Sequence, residues 1–262
     1  MSAKKMKNEL LIEISKLGVE YLTNSEPIRA IENINLNIYR GDFICVLGPS
    51  GCGKSTLLKV LAGFLQQTEG TFLMNGQVVA GPDWNRGVIF QSASLYPWMN
   101  VRKNIEFGPK MKGLSKIESS KIASHYLKQV DLVEFENQAT FELSGGMKQR
   151  VALARVLANE PEVMLMDEPL GALDALTRIH MQKLIRNIWK ENHNTIFMIT
   201  HDVDEALSLG TRVLVMSKNP GTIIKELDLD FIENAVDSKT GRIHTNEKYL
   251  NLKEEILDLI DT

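Results

Sequence analysis

The segment Gly48-Pro49-Ser50-Gly51-Cys52-Gly53-Lys54-Ser55-Thr56 brings together what a polyphosphate needs. Its glycines let consecutive backbone N–H groups point inward as an anion nest, the lysine supplies a cation, and a hydroxyl can reach a metal ion. The apolar run Phe43 to Leu47 precedes it, and the helix-forming run Leu57 to Ala62 follows. Strand, glycine-rich turn and helix start put the nest at the positive end of a helix. That context separates a phosphate loop from an ordinary glycine-rich turn. Gly48, Ser50, Gly51, Gly53 and Thr56 then line the phosphates, Lys54 reaches the β- and γ-phosphates, and Ser55 ligates Mg²⁺.

A second set of chemical groups ends another apolar run. Val163 to Met166 leads into Asp167-Glu168-Pro169. Two adjacent carboxylates at the end of a buried strand are costly without partners. Beside a phosphate loop the partner is Mg²⁺, held by Asp167 through water, while Glu168 faces the γ-phosphate and takes a proton from the attacking water. The plainer alternative is a solvated strand end capped by proline, and the phosphate loop upstream weighs against it.

Leu143-Ser144-Gly145-Gly146-Met147-Lys148-Gln149-Arg150 runs into the helical Val151 to Leu157 and resembles the signature motif of the ABC ATPases. Ser144 as an N-cap, with Gly145 and Gly146 exposing backbone donors at a helix start, makes a second phosphate site without a lysine. The resemblance implies that each phosphate loop meets the signature of a second copy of the chain. Two ATPs would sit in a head-to-tail pair, and a lone monomer would hydrolyse poorly. It also implies roles for Gln91, sensing Mg²⁺ and the attacking water, for Asp174, speaking to the opposite subunit, and for His201, contacting the γ-phosphate. Tyr21, about 27 residues before Gly48, matches the aromatic that stacks on adenine. Taken alone, a strand-end histidine is more often structural, and a tyrosine in an alternating strand is often half-buried packing. What favours function is that Leu47, Gln91, Asp167 and His201 all fall at strand C-termini, the edge where open α/β sheets bind ligands. The resemblance runs from about residue 8 to 225.

These groups need a scaffold. Residues from about 7 to 40 alternate apolar and polar, predicting antiparallel strands with Thr71–Asn75 and Gln77–Ala80. The strands before the phosphate loop, the carboxylates and the histidine predict a parallel sheet with helices on both faces. Between Gln91 and Leu143 the composition turns helical, clearest from Ile117 to Val130. The expected fold class is α/β: a P-loop NTPase core with a mixed sheet, an N-terminal antiparallel β subdomain and an inserted helical subdomain near 92–142. The ATPase domain would span 1–228 and a short C-terminal extension 229–262. Within that extension Glu233 to Glu247 is polar, and Tyr249 to Ile260 reads as an amphipathic helix.

Composition bounds the rest. The chain has 262 residues, 44% apolar and 24% charged, with a net charge of −3 that argues against a protein built to grip nucleic acid. Cys45 and Cys52 are too few for a disulfide scaffold and lack zinc-site spacing. No apolar run reaches the roughly 18 residues needed to span a bilayer, and Met1 to Leu17 is interrupted by Glu9, Glu13 and Lys16, so it is not a signal peptide. The expectation is a peripheral protein at the cytoplasmic face of the membrane. Ser94 to Val101, Gly81-Pro82-Asp83, His201 to Ala206 and Asn219 to Ile223 resemble the nitrate/sulfonate/taurine importer ATPases. That implies an integral membrane permease as partner and, indirectly, an extracytoplasmic substrate-binding protein. Tyr96, Trp98 and Met99 suit either a groove for a permease helix or the subdomain's own core. The competing class is a soluble ABC ATPase powering iron–sulfur assembly or cell division.

Overall fold

The alternating N-terminal residues form two long antiparallel strands, β1 (Leu10–Tyr21) and β2 (Ile28–Tyr39), in a computed structural model that describes residues 9–22, 26–218, 220–229 and 246–261. After them comes β3 (Phe43–Leu47), buried at every position, and then β4 (Glu69–Met74) and β5 (Gln77–Val78). Asn75 and Gly76 join β4 to β5 with both residues at positive φ, the two-residue hairpin turn that matches strand twist. One sheet therefore runs β2-β1-β4-β5 and is antiparallel throughout.

The second sheet adds β6 (Arg86–Ile89), β7 (Val163–Asp167), β8 (Thr195–Ile199), β9 (Arg212–Met216) and β10 (Ile223–Asp228), in the order β10-β9-β3-β8-β7-β6. Five of these strands are parallel and β10 returns antiparallel on β9, so the sheet is mixed as expected. The central strands β3, β8 and β9 are buried at every position because both faces are covered, whereas the edge strand β10 is largely exposed. Side chains alternate between two cores. Phe43, Cys45 and Leu47 enter one cluster with the helices, whereas Ile44 and Val46 enter the other with β1, β2 and β4.

The helices are α1 (Lys54–Leu61), α2 (Val101–Met111), α3 (Lys116–Gln129), α4 (Gly145–Leu157), α5 (Ala175–Asn192), α6 (Val203–Leu209) and α7 (Glu247–Asp261). Local chemistry starts them: Asn100 caps α2, and Ser115 with Glu118 forms a capping box on α3. One departure from expectation concerns the covering layers. Only one face of the mixed sheet is covered by helices alone; on the other, α1 shares the work with the antiparallel sheet. The sequence pattern placed those strands beside the core but could not say which face they close. The expected C-terminal helix is α7, whose Tyr249 and Ile256 enter the helical-side core. Residues 233–245 of the polar stretch lie outside the described residues.

Candidate functional site

The phosphate loop leaves β3 and enters α1 at Gly53, whose φ of 89° and crowding by Ile31, 2.3 Å from where a Cβ would sit, admit only glycine. Lys54 is buried, and its ammonium donates to the carbonyls of Gly48 at 2.7 Å and Pro49 at 3.0 Å, so the loop holds the cation within itself. The back of the loop is braced by a segment the motif does not contain. Gly221 donates to Ala30 and accepts from Glu32, both at 3.0 Å, and a Cβ there would lie 1.9 Å from the Cys52 carbonyl. Next to the loop, the Ser55 hydroxyl donates to Asp167 at 3.3 Å, and the Tyr21 hydroxyl lies 3.3 Å from that of Thr56. The Tyr21 ring stays partly exposed at 37%.

Asp167 ends β7. Burial pushes its carboxyl above the usual range, the Ser55 hydrogen bond opposes that, and the Glu168 charge adds to it. Glu168 follows in the left-handed region, φ 45°, a conformation that costs a non-glycine residue about 1–2 kcal/mol. Its N–H donates to Ile199 at 3.1 Å and its carbonyl accepts from Gly171 at 3.2 Å, which hold the turn. The turned carboxylate lies 3.4 Å from Nδ1 of His201, at the end of β8. Gln91 closes the group from the end of β6: a Cβ on Gly171 would sit 3.7 Å from His201 Cε1 and 3.8 Å from Gln91 Nε2. Three strand ends thus aim Gln91, Glu168 and His201 at one spot. Among the described residues no cluster of three or more His, Cys, Asp or Glu could hold a metal by itself. The donor set is the Ser55 hydroxyl and the Asp167 carboxylate, hard oxygens that suit Mg²⁺, an ion that keeps waters and shares phosphate oxygens.

The signature forms a separate surface. Ser144 N-caps α4, accepting from Met147 N at 3.3 Å, and Asp174 N-caps α5, accepting from Thr177 N at 3.0 Å. The Thr177 hydroxyl, and after it this backbone N–H, hold the exposed Asp174 carboxyl below its ordinary value. Gly146 packs on Thr177, where a Cβ would meet Cγ2 at 2.4 Å. Ser144, Gly146, Arg150, Thr177 and His180 line a cleft of about 600 Å³. None of Gly48 to Thr56 is among the residues that line this cleft.

Sequence reasoning missed the link between α4 and the segment that leaves β6 at Gln91. The buried Gln149 donates from Nε2 to the Gln91 carbonyl at 2.8 Å, and Arg155 donates to the carbonyls of Ser94 at 2.9 Å and Ala93 at 3.4 Å. The only signal was their spacing on one helix, which could not name a target. Further along that segment, Tyr96 packs on Phe107 with ring centroids 4.6 Å apart and lies under Arg155. Trp98 is 75% exposed. Packing against Phe107 and Arg155 takes Tyr96, and Trp98 stays on the surface.

A phosphate loop, paired carboxylates and a signature helix on one mixed sheet define an ATP-binding cassette. Residues 31–171 match the family model described as ABC transporter. A taurine import ATP-binding protein of Roseobacter denitrificans is 48% identical over 250 residues, covering 95% of this chain and 93% of the relative. The nitrate import ATP-binding protein of Synechocystis is 45% identical over 251 residues, covering 95% and 94%. Among solved structures, the dimeric post-hydrolysis state of the cassette MJ0796 bound to ADP and Pi superposes with a TM-score of 0.75 at 32% identity, covering 84% of this chain and 99% of that one. The chain belongs to the ABC transporter family, as an ATP-binding and ATP-hydrolysing subunit.

Proposed function

We propose that two copies of this chain bind two ATP molecules between them and hydrolyse them to drive uptake of a small solute through a separate membrane permease. Taurine, other sulfonates and nitrate are the solute class, since relatives matched over more than nine tenths of their length are named for taurine, itself a sulfonate, and for nitrate. An extracytoplasmic substrate-binding protein delivers the solute. Among the described residues no helix is long and apolar enough to cross a membrane, so the permease supplies the attachment and the chain sits peripherally at the cytoplasmic face. Residues 1–228 act as the ATPase domain, with 92–142 as its moving helical part, and 229–262 as an extension.

The half-sites divide the work. Gly48 through Thr56 cradle the phosphates, with Lys54 supplying the cation, and Tyr21 stacks on adenine. Ser55, Asp167 and Gln91 hold Mg²⁺, which when bound neutralises charge developing on the β- and γ-phosphate oxygens. Glu168 takes the proton of the attacking water while His201 touches the γ-phosphate and steadies the Glu168 carboxylate. Ser144, Gly145 and Gly146 present backbone donors to the nucleotide held by the other copy, and Asp174 faces that copy across the interface. The observation that carries the reading is the convergence of Gln91, Glu168 and His201 beside the Ser55–Asp167 pair.

Glu168→Gln tests it. The amide cannot accept the proton, so turnover should fall by about 100-fold or more while ATP binding persists and light scattering reports an ATP-dependent dimer. Wild-type turnover would remove Glu168 from the role of base. Purifying the chain from its native membranes tests the partner: a co-purifying permease supports transport, whereas iron–sulfur or division proteins in its place would sink it.

A further inference from the structure

The C-terminal extension carries an observation that the ATPase reading leaves unused. Helix α6 begins two residues after His201, and its start crowds three carboxylates into four positions: Asp202, Asp204 and Glu205. Acidic residues suit a helix N-terminus, but three so close repel one another unless each finds a cation or a donor. Asp202 caps the helix, accepting from the N–H groups of Asp204 at 2.9 Å and Glu205 at 3.1 Å, and lies 3.7 Å from Arg178 of α5. Glu205 accepts from the Thr200 hydroxyl at 2.7 Å, directly before His201, and lies 3.6 Å from the same arginine.

Asp204 is held from elsewhere. The Tyr249 hydroxyl of α7 donates to its carboxylate, and the Lys253 ammonium lies 2.8 and 2.9 Å from its two oxygens. Burial penalises this carboxylate, yet the two donors outweigh the penalty and hold it below its ordinary value. Helix α7 is itself anchored. Tyr249 is 2% exposed, Ile256 is fully buried, Asn246 receives the Tyr249 N–H at 2.8 Å, and Glu255 pairs with Lys225 of β10 at 2.9 Å. It is a strut from the sheet to the first turn of α6.

We infer that Tyr249 and Lys253 are positioning residues for ATP hydrolysis: by neutralising and fixing Asp204 they set the start of α6, and through it the place of His201. The His201 side chain is 64% exposed and faces Glu168, so the backbone that precedes and follows it decides where it points. Thr200 on one side is fixed by Glu205, and Asp202 on the other belongs to the turn that α7 steadies. Loosening α7 moves the histidine without touching the phosphate loop, so it acts on turnover rather than on ATP affinity. This inference rests on the γ-phosphate role of His201 proposed above.

The experiment is a cycle in the full-length chain. Tyr249→Phe removes only the hydroxyl and keeps the buried ring, and Lys253→Met removes the charge from a side chain one-third exposed, 35%. Each should lower kcat by about three- to tenfold with KM for ATP within about twofold of wild type, the split expected when an interaction serves only the transition state. Lys253→Arg should restore kcat. In a His201→Ala background the same changes should lower kcat no further. Wild-type kcat in both Tyr249→Phe and Lys253→Met overturns the inference, as does an equal loss in the His201→Ala background, which would mark a purely structural role. If His201→Ala itself leaves kcat unchanged, the histidine's role fails and this inference falls with it. If His201→Ala is slow but the α7 variants are not, this inference fails alone.

Discussion

Gln149→Met separates stability from turnover. Gln149 is 5% exposed, and its two amide atoms are treated unequally: Nε2 donates to the Gln91 carbonyl at 2.8 Å, whereas Oε1 is buried with no hydrogen-bond partner among the described residues. Methionine has a similar length and volume, so no large cavity opens. Losing the Nε2 bond costs about 1 kcal/mol, while removing an unsatisfied buried acceptor returns about 1–3 kcal/mol. The balance is neutral to favourable, so Tm should hold or rise by about 2–4 °C for each kcal/mol gained. Turnover moves the other way, because the Gln91 carbonyl loses its tether to the signature helix. Arg155 still holds Ser94 and Ala93, so the segment after Gln91 is loosened rather than released. A positioning loss of about 1 kcal/mol predicts a kcat about fivefold lower. Calorimetry and phosphate-release kinetics on the same preparation read both quantities. Wild-type turnover would refute the tether, and a Tm several degrees lower would refute the accounting for the unpaired oxygen.

Further outcomes follow from the same geometry. Gly221→Ala drives a Cβ to within 1.9 Å of the Cys52 carbonyl, so the phosphate loop must shift and titration with a fluorescent ATP analogue should show weakened binding; unchanged affinity would mean the loop relaxes freely. Tyr21→Ala should raise KM for ATP by about five- to 150-fold, the range for losing about 1–3 kcal/mol of base stacking, while Tyr21→Trp should keep it low in the same steady-state assay. Phe197→Ala, at a fully buried position in the core facing the antiparallel sheet, should cost about 3–5 kcal/mol in denaturant unfolding. Lys54→Ala should abolish ATP binding in equilibrium dialysis, since among the described residues Lys54 is the cation that donates to the loop carbonyls of Gly48 and Pro49.

What could be read from the sequence is what local chemistry writes locally. Glycines before Lys54 announce a nest, apolar runs ending in Asp167 or His201 announce strand ends, and Ser144 announces a cap, because each depends on neighbours a few residues away. The contacts that tune the site bridge large separations instead. Gly221 braces Cys52, Gln149 holds Gln91, and Tyr249 reaches Asp204. A glycine, a glutamine and a tyrosine carry no periodic signal of such a partner. The layers were partly hidden for the same reason: alternation in β1 and β2 shows that one face is buried, but not which side of the mixed sheet it covers. Tyr96 and Trp98 looked alike as apolar aromatics, and only the packing of Phe107 and Arg155 around one of them separated the two.

The position of β3 in its sheet also governs when the protein can become active during its synthesis. Phe43 pairs with Ile196 on one side and Ile44 with Arg212 on the other, so both hydrogen-bonded neighbours of β3 are encoded far downstream. A ribosome that has already released the phosphate loop must still add the histidine strand and β9 before that loop has a rigid base. Pairings of such long sequence separation form late and slowly. A growing chain therefore carries its glycine-rich loop before the strand beneath it is paired, and translation that stops short of β9 leaves β3 without one of its two hydrogen-bonded neighbours.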